Sequence, residues 1–242
     1  MKNKIAAVIL AAGKGTRMKS DLPKVMVPVC GKPMVRRIID TLEDLKVEEV
    51  VAVIAPDGDL VKKEVSPYKT SVQEKQLGTG HAVLSTKEHL DQFDGTVLVI
   101  FGDTPIITKE TFQRVVDKQR EGYAIVVVGV RPEVSPPYGR LIMEGDKLKK
   151  IVEFKDATEE ERNVNLLNSG MMAFDGNKMF DILEKIGSRN AANEYYLTDA
   201  IGIAVSEGLN CTVIEADPEE VASANTMEEV ALLETYLKKR GS

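Results

Sequence analysis

The chain has 242 residues, of which 43% are hydrophobic and 29% are charged, and its net charge is −6. A chain of this size can bury a sizeable core, so we expect one large α/β domain, or one domain with a small appendage. The acidic balance argues against nucleic acid as the main partner, because binding to a phosphate backbone needs a basic face. It leaves room for a small anionic ligand, which needs only a few well-placed cations.

The sequence also argues against membrane insertion and against metal-binding cysteine clusters. No stretch approaches the roughly 20 apolar residues of a membrane span, and the first apolar run leads directly into a glycine loop rather than a cleavage site. We therefore expect a cytoplasmic protein without a membrane partner. The only cysteines are Cys30 and Cys211, and the only histidines are His81 and His89. This usage predicts a reduced compartment and no zinc cluster, and it leaves the oligomeric state open.

Short apolar runs rich in β-branched residues alternate with segments whose apolar residues recur every three or four positions. This alternation predicts βαβ units, that is, a mostly parallel sheet with helices on both faces. Pro33 is expected in the first turn of a helix, and Thr108 is expected to cap another. The predicted strands are residues 5–10, 50–55, 96–101 and 123–130, and the predicted helices are residues 33–45, 81–90 and 109–120.

The pattern changes after about Pro136. Two apolar segments flank Gly145 and Asp146, which predicts a β-hairpin with its turn at these two residues. Thr226 and Glu229 have the spacing of a capping box at the start of a last helix. We divide the chain into residues 1–225 and a C-terminal helix and tail, residues 226–242. The remaining predicted elements are hairpin strands at 138–143 and 148–154, a strand at 166–174, and helices at 178–186 and 199–207.

A glycine loop follows the first predicted strand, at the position where open parallel sheets bind ligands. Gly13 and Gly15 allow backbone N–H groups to approach an anion closely, while Arg17 and Lys24 add fixed positive charge. The spacing is not that of a P-loop, and Met18 stands where a dinucleotide fingerprint needs a third glycine or an alanine. The loop indicates a phosphate site. A flexible connection with solvated basic residues is the simpler alternative.

The stretch from Leu10 to Lys24 resembles the signature of sugar-phosphate nucleotidyltransferases, and most closely that of the uridyltransferase domain of bacterial N-acetylglucosamine-1-phosphate uridyltransferases. The resemblance implies an α/β, Rossmann-like nucleotidyltransferase fold: a mostly parallel mixed sheet flanked by helices, with a small β-hairpin sugar-binding region. It implies UTP and N-acetylglucosamine 1-phosphate as substrates and Mg²⁺ as the cofactor. The implied catalytic residues are Arg17 and Lys24, and the implied nucleotide-binding residues are Leu10, Ala11, Ala12, Gly13, Gln73, Gly78 and Thr79.

Later positions agree with this resemblance in order and kind. The amide of Gln73 offers the donor and the acceptor that match uracil, and a carboxylate after a strand, such as Asp103, suits Mg²⁺. The family commonly has tyrosine at Phe101, so any contact from a ring hydroxyl is absent. Asp103 in a turn and Asn225 as a helix cap are the simpler explanations. The implied sugar-binding residues are Phe101, Gly102, Gly139, Glu153, Asn168 and Glu194, and the implied metal ligands are Asp103 and Asn225.

Three alternatives remain open at this point. The substrate pair could include another sugar 1-phosphate, such as glucose or another hexosamine, or another nucleotide, dTTP or CTP. The chain could be a non-catalytic nucleotide-sugar-binding subunit, although such proteins typically lose residues equivalent to Lys24 or Asp103. A dinucleotide-binding oxidoreductase is disfavoured by Met18. The resemblance covers only the uridyltransferase half of the bifunctional enzymes. The hexapeptide repeats of their acetyltransferase half do not occur in this sequence, so that activity does not carry over.

Overall fold

A computed structural model describes residues 4–13 and 15–241. These two stretches contain eleven strands and nine α-helices, and none of the helices in them is long and apolar enough to cross a lipid bilayer. The strands are β1 (Ile5–Leu10), β2 (Pro28–Val29), β3 (Lys32–Pro33), β4 (Glu49–Ile54), β5 (Lys69–Val72), β6 (Thr96–Phe101), β7 (Ile125–Val130), β8 (Arg140–Glu144), β9 (Lys147–Val152), β10 (Leu167–Asp175) and β11 (Cys211–Glu215). The helices are α1 (Met34–Asp44), α2 (Asp59–Val65), α3 (Thr79–Leu84), α4 (Lys87–Leu90), α5 (Lys109–Arg120), α6 (Glu159–Arg162), α7 (Gly176–Leu183), α8 (Asp199–Ser206) and α9 (Met227–Lys239), and short 3-10 helices cover Thr16–Met18 and Lys24–Met26.

Nine of the strands form one mixed sheet with the order β11-β7-β10-β6-β1-β4-β5, and the β8–β9 hairpin attaches to it at β10. Strand β1 pairs in parallel with β4 and β6, while β5 and β11 add in parallel to β4 and β7. Strand β10 lies antiparallel between β6 and β7, and the strands of the β8–β9 hairpin also pair antiparallel. The predicted mostly parallel α/β sheet with a small hairpin is therefore confirmed.

The sheet is buried on both faces, which explains why its strands are almost continuously apolar. Alternate residues of β1 enter different apolar clusters, because successive side chains of a strand point to opposite faces. Ala6 and Val8 belong to the cluster that also contains parts of α3, α7 and α8. Ala7 and Ile9 belong to the cluster formed with α1, α2 and α5. The two clusters hold the carboxyl ends of the central strands in a rigid frame.

A third apolar cluster joins the last helix to the segment after the glycine loop. The capping box predicted for α9 is present: Thr226 Oγ1 accepts from Glu229 N at 3.3 Å, and the Glu229 carboxylate accepts from Thr226 N at 3.2 Å. Val230, Leu233 and Leu237 of α9 are buried. The cluster consists mainly of Val230, Leu233 and Leu237 from α9 together with Met18, Val27, Val29, Met34 and Ile106.

Some element predictions were wrong in detail. The helix expected over residues 81–90 is two helices, α3 and α4, because the buried Thr86 hydroxyl donates to the carbonyl of Val83 at 2.7 Å and ends the first one. Pro33 ends β3 and lies just before α1 rather than inside its first turn. Thr108 does cap α5, accepting from Thr111 N at 3.2 Å. Strands β2, β3, β5 and β11 and helices α2 and α6 were not predicted.

Candidate active site

A cleft of about 400 Å³ opens at the carboxyl ends of β1, β4 and β6. This is the edge at which parallel sheets usually bind ligands, and the volume suits a small molecule. The cleft is lined by Leu10, Ala12, Gly13, Lys24, Val25, Val53, Gln73, Gln76, Gly78, Thr79, Ala82, Phe101, Asp103, Glu194 and Asn225.

The glycine loop forms one wall of the cleft. Ala11 N donates to Val53 O at 2.8 Å, which continues the sheet pairing past the end of β1. A Cβ atom on Gly102 would lie 2.9 Å from the carbonyl oxygen of Leu10, so only glycine lets β1 and β6 end this close together. A Cβ atom on Gly13 would meet nothing within 4 Å. Gly102 is therefore required where β1 and β6 end, whereas the space beside Gly13 is open.

Both predicted catalytic residues and both predicted metal ligands meet at one point. The Lys24 ammonium forms an ion pair with Asp103 and donates to Asn225 Oδ1 at 2.6 Å. Arg17 Nη2 donates to the same oxygen at 2.8 Å. The Lys24 and Asp103 side chains are only 13% and 15% exposed, so water screens the pair weakly. We call these four residues the cation cluster.

The neighbouring backbone fixes Asn225 in this position. Ala224 N donates to Asp103 O at 3.2 Å, which ties the segment before α9 to the end of β6. Asn225 N donates to the Glu229 carboxylate, which also accepts a hydrogen bond from Thr226 N. The helix cap is Thr226, so the simpler explanation of Asn225 as the cap of α9 is wrong.

The donor set of the cation cluster fits Mg²⁺. A carboxylate oxygen of Asp103 and the amide oxygen of Asn225 both contact one cationic atom, Lys24 Nζ. Mg²⁺ prefers one or two protein oxygens completed by substrate phosphates and water. Within residues 4–13 and 15–241 no group of three or more His, Cys, Asp or Glu side chains is arranged to hold a metal. A magnesium ion at Asp103 and Asn225 would therefore need phosphate oxygens to complete its shell.

The segment from Gln73 to Thr79 forms the opposite wall. Gln73 is buried, and its Nε2 donates to Gly78 O at 3.1 Å and lies 3.3 Å from His81 Nδ1. These contacts fix the orientation of the carboxamide in the wall of the cleft. His81 belongs to the first turn of α3. Thr79 Oγ1 accepts from Leu197 N at 3.1 Å, which joins this wall to the sugar side.

A smaller cavity of about 190 Å³ continues the cleft and shares Thr79, Phe101 and Glu194 with it. Glu153 and Asn168 also line this cavity, and Glu153 Oε1 accepts from Thr198 Oγ1 at 3.0 Å. The predicted sugar-binding residues other than the two glycines thus lie together.

Gly139 lies beside this cavity rather than in its lining. Its carbonyl accepts from Asn168 N at 2.8 Å, and a Cβ atom there would lie 3.6 Å from Glu153 Oε1. Gly139 therefore touches the two predicted sugar-binding side chains from behind.

Residues 7–169 match the MobA-like NTP transferase domain. The chain belongs to this family. It is 45% identical to the bifunctional protein GlmU of Paramagnetospirillum magneticum over 98% of the chain and 54% of the relative. It is 47% identical to the bifunctional protein GlmU of Rhodospirillum rubrum, with the same coverage of both. The chain thus spans about half the length of the curated relatives that it matches.

A solved structure supports the fold independently. The crystal structure of a UDP-glucose pyrophosphorylase complexed with UDP-glucose superposes with a TM-score of 0.74, covering 99% of this chain and all of that one at 19% sequence identity. The nucleotidyltransferase fold implied by the residues from Leu10 to Lys24 is therefore confirmed, and so is membership of a nucleotidyltransferase family.

The two ends of this nucleotidyltransferase cleft differ in charge. The cation cluster brings Arg17 and Lys24 to one end. At the other end, burial raises the pKa of Glu153, the Thr198 hydrogen bond opposes that shift, and nearby Asp156 adds to it. Burial also raises the pKa of Asp199. The cleft therefore offers positive charge at one end and hydrogen-bond acceptors at the other.

Several residues in or next to the cleft were not among the predicted site residues. Gln76 donates to Ala12 O and so closes the gap between the Gln73 segment and the glycine loop. Thr198 orients Glu153, and Tyr195 O accepts from Gly80 N at 2.8 Å. The only local indication that Gln76 lines the cleft was its short sequence separation from Gln73 in the same polar loop. The partners of Thr198 and Tyr195 are more than 40 residues away in sequence, so no local pattern indicated these contacts.

Proposed function

We propose that this chain transfers the uridylyl group of UTP to N-acetylglucosamine 1-phosphate, giving UDP-N-acetylglucosamine and pyrophosphate, with Mg²⁺ as the cofactor. The observation that carries the proposal is the continuous cleft with a cation cluster at one end and Glu153 and Asn168 at the other. The cation cluster suits the phosphates of a nucleotide sugar, and Glu153 and Asn168 suit the hydroxyl groups of its sugar. The identity of 45% to 47% with proteins named GlmU supports the choice of sugar and nucleotide.

In the proposed reaction a phosphate oxygen of the sugar 1-phosphate attacks the α-phosphorus of UTP, and pyrophosphate leaves in line. No side-chain nucleophile is required, so catalysis depends on positioning and on stabilisation of charge. Lys24 and Arg17 would donate to phosphate oxygens and neutralise the charge that develops on the leaving group. The backbone N–H groups of the glycine loop would add to this. When bound to Asp103 and Asn225, Mg²⁺ would neutralise phosphate charge and help to align the reacting groups.

The same cleft offers groups suited to uracil and to the sugar. The Gln73 carboxamide is held in the wall of the cleft by Gly78 O and His81, so its position is set before the base arrives. Glu153 and Asn168 would accept and donate hydrogen bonds at the sugar hydroxyls. A site built from such buried polar groups rejects an analogue that lacks the matching hydroxyl or amide much better than an apolar pocket does.

The deciding experiment is a pyrophosphate-release assay with the purified chain, Mg²⁺ and matrices of nucleoside triphosphates and sugar 1-phosphates. We expect preference for UTP with N-acetylglucosamine 1-phosphate. Turnover with a different pair would retain the chemistry and overturn the specificity. Binding of UTP without turnover of any pair would favour the non-catalytic nucleotide-sugar-binding subunit.

Variants of the cation cluster test the assigned roles. Lys24→Ala and Asp103→Ala are each expected to lower kcat by roughly 10² to 10³-fold, the range found when one transition-state donor is lost. The matched control is Lys32→Ala, which removes another lysine paired with a carboxylate, Asp40, from an exposed position. Near-normal turnover of Lys24→Ala, or an equal loss in Lys32→Ala, would refute the assignment.

A further inference from the structure

Arg140 is an unusual residue in this fold, because its guanidinium is buried without a counter-ion. The residue is 2% exposed and is among the largest fully buried side chains in the parts of the chain that the structure describes. No carboxylate of residues 4–13 or 15–241 is found within ion-pairing distance, and burial lowers the pKa of Arg140. A buried charge without a counter-ion costs several kcal/mol of desolvation unless its donors are well satisfied.

The donors of Arg140 are satisfied almost entirely by one loop. Nη1 donates to Pro136 O at 3.0 Å and to Tyr138 O at 2.8 Å, and Nη2 donates to Ser135 Oγ at 3.1 Å. Nε donates to Arg162 O at 3.2 Å. We call residues 132–138 the proline loop, since Pro132, Pro136 and Pro137 lie in it.

Little else holds the proline loop in place. Its large apolar side chains do not enter the core, because Val134 is 83% exposed and Tyr138 is 42% exposed. The one backbone hydrogen bond described inside it runs from Tyr138 N to Pro136 O, at 2.8 Å. A surface loop with so few internal contacts is expected to be mobile unless another group fixes it. The guanidinium of Arg140 is that group.

Arg140 also contacts the segment that carries Glu153. Its Cζ lies 5.0 Å from the centre of the Phe154 ring, and Arg162 Cζ lies 4.9 Å from the same ring. Arg162 Nε further donates to Phe154 O at 3.3 Å. One buried side chain thus joins the proline loop, which ends next to Gly139, to the residue that follows Glu153.

We infer that Arg140 is a positioning residue for the sugar 1-phosphate. Because it fixes the backbone on both sides of the sugar end of the cleft, it sets the separation between Gly139 and Glu153. The nucleotide end is built from the glycine loop and from Gln73 to Thr79, and none of the hydrogen bonds of Arg140 reaches those segments. This inference rests on the proposed function and adds a residue that acts on one substrate only.

The test is Arg140→Lys, which keeps the charge but loses the planar fork that reaches several acceptors at once. We expect the KM for the sugar 1-phosphate to rise about tenfold or more, since small misplacements cost up to about 100-fold, while the KM for UTP stays within about twofold. The matched control is Arg37→Lys, because Arg37 also donates to backbone carbonyls, those of Val29 and Cys30, but lies away from the cleft. Equal changes in both KM values would overturn the inference.

A second measurement keeps the inference testable if the lysine variant folds poorly. In Ser135→Ala, which removes one acceptor but leaves the arginine in place, exchange of the hydrogen-bonded Tyr138 amide should accelerate about tenfold, with exchange outside the proline loop unchanged. Unchanged exchange in the loop would contradict a clamping role. Wild-type turnover is measured first: if the wild type uses no sugar 1-phosphate, the proposed function fails. If it is active, but Arg140→Lys changes both KM values equally and Ser135→Ala leaves exchange in the loop unchanged, the positioning role alone fails.

Discussion

Gly78 offers a quantitative test of the described backbone, because the same chemical change can be made at a second glycine with the opposite outcome. Gly78 has φ 117° and ψ 171°, a region that is essentially restricted to glycine and costs about 1–3 kcal/mol for other residues. A Cβ atom there would also lie 2.6 Å from the carbonyl oxygen and 2.7 Å from the nitrogen of Tyr195. These are backbone atoms, so the clash cannot be relieved by rotating a side chain.

Relieving the clash would separate two segments that are joined by hydrogen bonds. Tyr195 N donates to Leu77 O, and Gly80 N donates to Tyr195 O, both at 2.8 Å. With about 1 kcal/mol lost for each weakened bond added to the backbone strain, Gly78→Ala is expected to destabilise the fold by roughly 3–5 kcal/mol. Gly202 lies in α8, is exposed, and has open space at its Cβ position. Gly202→Ala is therefore expected to stabilise by about 0.5–1 kcal/mol.

The assay is urea unfolding monitored by circular dichroism. The wild type and the two variants are compared with the same slope of unfolding free energy against urea concentration. The two alanine variants should shift the midpoint in opposite directions. A Gly78→Ala midpoint at or above that of the wild type would refute the described backbone at this position. A destabilised Gly202→Ala would instead refute the estimate for the helix.

Three further predictions concern burial and capping. Burial raises the pKa of Glu153, so the protonated side chain contributes stability that is present below the ordinary pKa of glutamate and is lost as pH rises through the raised pKa. Glutamine stays neutral at both pH values. The free energy of unfolding of Glu153→Gln should therefore exceed that of the wild type by more at pH 7 than at pH 4. Thr226→Ala removes the capping box of α9 and should lower the free energy of unfolding by about 1 kcal/mol, or the Tm by about 2–4 °C. The control is Thr235→Ala on the exposed side of the same helix, whose Tm should stay unchanged. Burial raises the pKa of Cys211 to about 12, so only about one Cys211 thiol in ten thousand is ionised at pH 8. Iodoacetamide should therefore label only the partly exposed Cys30 in the native chain, and both cysteines after unfolding in urea. Equal labelling of both native thiols would contradict the described burial.

The central strands could be predicted from the sequence because burial on both faces leaves a direct local signal. Residues 5–10 and 96–101 were predicted with the bounds that β1 and β6 have, and Thr226 and Glu229 identified the start of α9. Strands β5 and β11 lie at the two ends of the sheet and carry more polar residues. Their stability comes from pairing with β4 and β7, which a short window of sequence does not contain.

The candidate site was predicted less evenly. The resemblance supplied Lys24, Asp103 and Asn225, and the fold brings them together. The hydrogen bond between Arg17 and Asn225 could not be predicted, because these residues are 208 positions apart and nothing local couples them. The role of Arg140 was hidden for a related reason. An arginine at the start of a strand is ordinarily expected at the surface, and only the tertiary structure shows it buried against carbonyl oxygens.

The cation cluster has a consequence for biosynthesis. Arg17 and Lys24 leave the ribosome early, whereas Asn225, which accepts hydrogen bonds from both, is added about 200 residues later. At typical elongation rates of 5–20 residues per second this interval is about 10–40 s. Throughout that time the nascent chain carries the glycine loop without the amide oxygen that anchors its two basic side chains. On the proposed function, nascent chains stalled before Asn225 are expected to be inactive even where the central sheet has already folded.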